Sequence, residues 1–98
     1  MDYYKIISIL HNGKHGARYI PKSDDGYLAR LNRVVAINEK SITIGTPCFF
    51  NYVKDADGND YSRYGLITSY VVDWDFIFED TIQIETENSI YEFKKVEV

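Results

Sequence analysis

The stretch from Leu66 to Val98 most constrains what this chain can fold into, because it contains three successive strand patterns. The segments LITSYVVDWD, TIQIET and SIYEFKKVEV are rich in β-branched and aromatic residues and contain neither glycine nor proline. Such runs, separated by polar turns, are typical of β-strands. We place the first turn at Phe76–Asp80, and the unit as a whole predicts three strands in a row.

An earlier segment repeats the layout of this unit. Residues 33–46 (RVVAINEKSITIGT) match residues 70–86 (YVVDWDFIFEDTIQIET), with Ser41–Thr46 aligned to Thr81–Thr86. The later copy carries three more residues in its turn. Because isoleucines two positions apart share one face of a strand, Ser41–Thr46 fits a strand pattern. The repeat therefore predicts a duplicated hairpin.

The N-terminal segment predicts a strand followed by a tight turn. Tyr3–Leu10 is β-branched and aromatic, and the following Asn12-Gly13 pair tolerates the positive φ angles of a tight turn. Ala17–Ile20 then predicts a short second strand that ends at Pro21.

Tyr27–Asn38 is compatible with two structures. Its apolar residues fall at helical spacing and Ser23 or Asp24 could cap a helix, whereas Val34 and Val35 are β-branched and belong to the repeat. We favour a turn or short helix near residues 24–30, followed by a strand over residues 31–37.

The remaining segments complete an all-β pattern. Cys48–Val53 predicts another strand, and Asp55–Asp60 contains the Asp-Gly signal of a hairpin turn. Seven or eight short strands with closely spaced turns indicate a single domain over residues 1–98. The predicted fold is a small antiparallel barrel or sandwich, of SH3-like or meander type. Closure of the sheet would remove exposed strand edges.

Composition excludes several classes of protein. Cys48 is the single cysteine, so neither a disulfide framework nor a zinc set is predicted. No segment is long or apolar enough to cross a membrane, and the N-terminal residues lack signal-peptide features, so we expect a cytoplasmic protein. The net charge of −4 is divided unevenly, with +3 in residues 1–33 and −7 in residues 34–98. This division predicts a basic patch unless folding interleaves the two halves.

The segment from His11 to Lys22 (HNGKHGARYIPK) is the first candidate site. Backbone N–H groups at glycine turns beside basic side chains suit a phosphate. We predict that Lys14, Arg18 and Lys22 meet the phosphates and that Tyr19 or Tyr27 stacks on a base. The residues predicted to bind a ligand are His11, Lys14, His15, Arg18, Tyr19, Lys22 and Tyr27. The alternative is a solvated basic hairpin tip, and His11 with His15 lacks a third metal ligand.

The second candidate site is the acidic and aromatic segment around Trp74. Alternation along a strand places Asp73 and Asp75 on one face and Trp74 on the other, which favours a solvated acidic face over paired catalytic carboxylates. Exposed aromatic residues at a loop tip mark partner contacts. The residues predicted to bind a partner are Trp74, Phe76, Ile77 and Phe78. The alternative is that the Phe-Ile-Phe triplet forms a lid over an open end of the barrel.

The C-terminal half resembles small uncharacterised β-rich proteins of bacteriophages and prophages. The similarity consists of a strand and an Asp-Gly turn, then a Leu-x-Thr-Ser-x-Val phrase and a Thr-x-Asn-Ser-x-Tyr phrase. Its residues here are Leu66, Thr68, Ser69, Val71, Thr86, Asn88, Ser89 and Tyr91. We interpret the second phrase as a structural turn. The resemblance implies a small barrel in the cytoplasm of a bacterial host, and it implies no activity.

Three functions follow from these features. The first is a non-enzymatic phage protein that acts against host defence by sequestering a small phosphorylated ligand, such as a nucleotide. The second is an inhibitor or regulator that docks on a host enzyme through the acidic face and the aromatic tip. The third is an oligomeric virion or assembly protein. Overall acidity disfavours DNA binding, and neither a cofactor motif nor a nucleophile–base pair indicates an enzyme.

Overall fold

The computed structural model describes residues 2–98, which form six strands, one short helix and one 3₁₀ turn. The strands are β1 (Asp2–Leu10), β2 (Val34–Ile37), β3 (Pro47–Lys54), β4 (Gly65–Phe78), β5 (Thr81–Thr86) and β6 (Ile90–Val96). Helix α1 (Asp25–Leu28) is a single turn, and the 3₁₀ turn spans Glu39–Ser41.

The six strands form a closed antiparallel barrel. Each strand pairs with the next one along the chain, and β6 returns to pair with β1. The prediction of a small all-β antiparallel barrel is therefore confirmed, in its meander form. The number of strands is six over residues 2–98, rather than seven or eight.

Alternating side chains build the core of the barrel. Along β3, for example, Cys48, Phe50 and Tyr52 are buried while the residues between them are exposed. Phe50 meets Phe93 of β6 edge-to-face, with ring centroids 5.9 Å apart. Burial of this apolar surface is the main favourable contribution to folding.

Strand β4 changes its pairing partner partway along its length. Residues 65–70 pair with β3, whereas residues 71–78 pair with β5. At the change, the Val71 N–H donates to the Thr46 carbonyl, and the Val71 carbonyl accepts from the Gly45 N–H. Irregular register on both sides of Val71 shows local bulging, which lets this long strand bend where its partner changes from β3 to β5. Each half of β4 therefore lacks a ladder on one side.

The predicted strand at Ser41–Thr46 is wrong. The segment starts in the 3₁₀ turn and continues through a bend in which Gly45 has a φ of +90°. Ile42 is buried whereas Ile44 is 60% exposed, so the two side chains do not share a strand face. The first copy of the sequence repeat consequently forms no second strand, and the predicted duplicated hairpin is also wrong.

Two other boundaries differ from the predictions. Ala17–Ile20 is not a strand, because the chain turns there and Tyr19 adopts a φ of +71°. The turn predicted at Phe76–Asp80 is shorter, since β4 continues to Phe78 and only Glu79 and Asp80 connect it to β5.

The ambiguous segment after Gly26 contains both predicted elements in sequence. Helix α1 lies within the predicted residues 24–30, and β2 begins at Val34 rather than at residue 31. The intervening turn includes Asn32, whose φ is +67°. In the described residues, no helix is long and apolar enough to span a bilayer.

Candidate anion-binding pocket

A small cavity lies beside the first half of β4, where that strand has no ladder toward β5. It has a volume of about 130 Å³, and we call it the Ser69 pocket. Helix α1 and the turn after it supply one wall, β4 supplies another, and the β5–β6 turn with the start of β6 supplies the rest. The lining residues are Tyr27, Arg30, Ile67, Thr68, Ser69, Thr86, Asn88, Ser89 and Tyr91.

A half-buried arginine provides the positive charge of the pocket. The Arg30 guanidinium donates a hydrogen bond of 2.7 Å to the Tyr91 hydroxyl and lies 5.0 Å from the centroid of the Tyr27 ring. Lys22 Nζ lies 4.1 Å from the same centroid. Two cations therefore converge on Tyr27, and the lining residues that the structure describes include no carboxylate.

The hydroxyl groups of the pocket divide into structural and free ones. Thr68 Oγ1 accepts from the Cys48 N–H and donates to the Ser69 carbonyl, and Thr86 Oγ1 bonds the backbone of Ser89. Ser69 Oγ is different, because this oxygen is buried and has no hydrogen-bond partner among the described residues. A buried hydroxyl without a partner costs free energy, which a ligand that bonds it would recover.

The two tyrosines of the pocket have pKa values shifted in opposite directions. Burial acts to raise the pKa of Tyr27, but contacts with Lys22 and Ser89 and the charge of Arg30 outweigh it, and the pKa falls below its usual 10.0. Burial dominates at Tyr91 and raises its pKa despite the Arg30 charge. The lowered value at Tyr27 shows that this part of the pocket favours negative charge.

The pocket offers several hydrogen-bond donors. Arg30 carries N–H groups beyond the one given to Tyr91, and Tyr91 accepts that bond, so its own hydroxyl proton remains to be donated. The Ser69 hydroxyl and the Asn88 amide add further donors. Tetrahedral oxyanions such as phosphate accept several hydrogen bonds and pair strongly with arginine. The arrangement can therefore bind one such group.

The predicted basic loop lies elsewhere and is partly neutralised. Asn12 attaches the loop to the end of β5 by donating from its amide to the carbonyls of Thr86 and Glu87, at 2.9 and 2.8 Å. Arg18 forms a two-pronged ion pair with Glu85, at 2.9 and 2.6 Å, and this hydrogen bonding raises the pKa of the guanidinium. Folding thus interleaves the basic and acidic parts of the sequence at this point.

The seven residues predicted to bind a ligand are divided between two places. Lys22 and Tyr27 belong to the surroundings of the Ser69 pocket. The other five, His11, Lys14, His15, Arg18 and Tyr19, remain in the loop. There the His11 ring lies against Gly16, closely enough that a Cβ at that position would meet the ring at 2.8 Å. Among residues 2–98, no group of three metal-ligating side chains comes together.

The residues predicted to bind a partner lie along the second half of β4. Asp73 and Asp75 are exposed and Trp74 packs against the core, so the predicted alternation is confirmed. Phe76, Ile77 and Phe78 are 42%, 37% and 69% exposed. Their exposure disagrees with the alternative in which this triplet forms a lid.

Arg30 and Ser69 were not predicted as site residues from the sequence. A signal was present, because six of the eight residues that carry the phage-type resemblance line the pocket. These six are Thr68, Ser69, Thr86, Asn88, Ser89 and Tyr91. Interpreting the second phrase only as a turn was correct for Thr86, which bonds local backbone, but it overlooked the space that the two phrases enclose. Comparisons with protein-family models, curated proteins and solved structures give no significant match.

Proposed function

We propose that this protein is a non-enzymatic binding protein that captures a small phosphorylated ligand of the nucleotide class in the Ser69 pocket. The observation that carries the proposal is the set of unused donors around Arg30, which includes a buried serine hydroxyl with no partner in the described part of the chain. A phosphoryl group accepts from several such donors at once.

The size of the pocket indicates how much of the ligand it encloses. Pockets that hold a whole drug-sized molecule measure about 300–1,000 Å³, whereas this one measures about 130 Å³. The pocket therefore suits one phosphoryl group and leaves the remainder of the ligand outside.

The outer surface next to the pocket offers a place for that remainder. Ile67 lines the pocket, and its partner across the β3–β4 ladder is Phe49. Ile67 and Phe49 are 66% and 63% exposed, so the pair forms a contiguous apolar surface beside the pocket. Flat apolar surface of this kind suits the face of a nucleobase, since base–aromatic stacking is tolerant of sequence. In this proposal Phe49 takes the stacking role that was predicted for Tyr19 or Tyr27.

Calorimetric titration with pyrophosphate and with mono-, di- and cyclic nucleotides tests the proposal. We expect binding by the wild-type protein and a loss of about 10- to 150-fold in Arg30→Gln, since hydrogen bonds to charged groups contribute about 1.5–3 kcal/mol. Phe49→Ala should weaken the binding of nucleotides and leave the binding of pyrophosphate unchanged.

Lys14→Gln is the matched control, because Lys14 is an exposed cation of the loop and does not line the Ser69 pocket. The affinity of this variant for pyrophosphate and for nucleotides should equal that of the wild type. The proposal fails if none of these ligands binds at millimolar concentration, or if Lys14→Gln abolishes binding while Arg30→Gln does not.

We further propose that capture of such a ligand acts against a nucleotide-dependent defence of a bacterial host, within its cytoplasm. Support for this setting comes from the phage-type resemblance, whose polar residues line the pocket. Expression of the wild-type protein in a bacterium with such a defence should restore phage growth. Expression of the Arg30→Gln variant should not restore it.

A further inference from the structure

The second half of β4 presents an open strand edge, formed by residues 74–78, which we call the β4 edge. In the part of the chain that the structure describes, these residues pair only with β5. On the other side of these residues, the segment that precedes β3 makes its last backbone bonds to Val71, through Gly45 and Thr46. On the N-terminal side of Gly45, this segment turns away from β4. Exposed edges with free N–H and C=O groups are templates for pairing with another chain.

Two aspartates occupy the donors of this edge. The Trp74 N–H donates to Asp73 Oδ1 at 2.9 Å, and the Phe76 N–H donates to Asp75 Oδ1 at 2.8 Å. Because these N–H groups bond to carboxylates of their own strand, they point away from β5. The two ion pairs recorded over residues 2–98, Arg18–Glu85 and Lys95–Asp2, involve neither aspartate. Both carboxylates are therefore free to exchange the backbone donor for an external cation.

Apolar side chains alternate with these acids. Phe76 and Phe78 are exposed beside the edge, and Trp74 contacts Phe76 with ring centroids 6.0 Å apart. A strand added here would meet Asp73 and Asp75 on one face and Trp74 and Phe76 on the other, and a register shift between Phe76 and Phe78 ends this alternation before Phe78.

We propose that the β4 edge accepts an extended segment of a protein partner as an added strand, and that this segment alternates Lys or Arg with apolar residues. Carbonyls of the incoming strand replace the aspartate oxygens at the Trp74 and Phe76 N–H groups. The released Asp73 and Asp75 then pair with the basic side chains, and the apolar ones cover the aromatic rings. This mode is main-chain strand addition with side-chain specificity.

Charge favours such a partner over a second copy of this chain. Antiparallel self-pairing centred on Asp75 places Asp75 opposite itself, and pairing centred on Phe76 places Asp73 opposite Glu79. Like charges directly opposite each other in a ladder are destabilising. The same acids attract a basic strand.

Titration of the ¹⁵N-labelled protein with the capped peptide Val-Lys-Val-Lys-Val-Lys-Val tests the inference. We expect binding that slows hydrogen exchange of the Trp74 and Phe76 amides, with no binding of the matched peptide that carries Glu in place of Lys. Asp75→Lys should weaken the binding of the lysine peptide about tenfold or more and allow the glutamate peptide to bind. Asp75 is exposed, so this substitution leaves the core intact.

Equal binding of both peptides, or lysine-peptide binding without protection of the Trp74 and Phe76 amides, would overturn the inference. If sedimentation shows a dimer in the absence of peptide, and the Trp74 and Phe76 amides are protected in that dimer, the inference is overturned in favour of a second copy of this chain. Arg30→Gln should bind the peptide like the wild type, so failure here is distinguishable from failure of the anion proposal.

Discussion

The two halves of β4 have the same strand conformation and opposite relations to the barrel. In the first half Leu66 and Thr68 are buried, and the side without a ladder is covered by α1 and the β5–β6 turn. In the second half Phe76 and Phe78 are exposed, and residues 74–78 pair with no strand other than β5 in residues 2–98. The change of partner at Val71 therefore leaves a polar pocket beside the first half of β4 and an unpaired strand edge beside the second half.

The difference teaches that the covering segment decides what a strand gap becomes. Where α1 closes the gap, desolvation strengthens the interactions of Arg30 and leaves Ser69 Oγ without a partner among residues 2–98. Where the gap stays open, the carboxylates of Asp73 and Asp75 accept hydrogen bonds from the backbone N–H groups of the exposed edge. The first arrangement suits a small anion, and the second suits an extended chain.

The largest expected contrast between the halves is in stability. Leu66→Ala removes a side chain that is 2% exposed and should lower the free energy of unfolding by about 2–5 kcal/mol. Phe78→Ala removes a larger side chain that is 69% exposed and should change it by no more than about 0.5 kcal/mol. Urea unfolding followed by fluorescence measures both. Equal losses would contradict the division of β4.

A second contrast separates structural from free hydroxyls within the pocket. Thr86→Val deprives the backbone of Ser89 of its side-chain partner and should lower the free energy of unfolding by about 1–3 kcal/mol. Ser69→Ala breaks no such bond and removes an unpaired buried hydroxyl, so stability should hold or rise while pyrophosphate affinity falls about 2- to 10-fold. If Ser69→Ala bound pyrophosphate like the wild type, the free hydroxyl would have no role in binding.

Much of the fold could be predicted from short-range patterns. Alternation and β-branching locate the strands that became β1, β3, β5 and β6, because each side chain there has a simple choice between core and water. Ser41–Thr46 has the same pattern and fails, since Gly45 takes a positive φ and Pro47 begins the next strand. Sequence similarity between the two segments was therefore insufficient to specify a second hairpin.

Less of the candidate site could be predicted, because it depends on contacts between distant segments. Tyr27 and Lys22 were selected for their chemistry; Tyr27 lines the pocket, and Lys22 lies against the Tyr27 ring. Arg30 meets Tyr91 across 61 positions of sequence, and whether Ser69 Oγ finds a partner depends on the segments that pack around it. The partner of Arg18, which is Glu85, likewise depends on how the loop crosses β5.

The smallest expected effect is a difference between two phenols of the pocket. The lowered pKa of Tyr27 means that this group stabilises the fold above its unfolded value near 10.0 and loses the contribution as pH falls through its folded pKa. The raised pKa of Tyr91 stabilises the fold below that value and loses the contribution as pH rises through its folded pKa. Titration of ¹³C-labelled tyrosine by NMR should show Tyr27 ionising first. Bound pyrophosphate should raise the pKa of Tyr27.

The division of β4 is tested most directly by the ¹H–¹⁵N spectrum of the protein during titration with pyrophosphate. We expect shifts at Thr68, Ser69 and Ser89, and unchanged signals along residues 74–78. Shifts centred on Gly13 to His15 would contradict the account by placing the anion in the loop, and shifts spread evenly along β4 would show that its halves are not distinct.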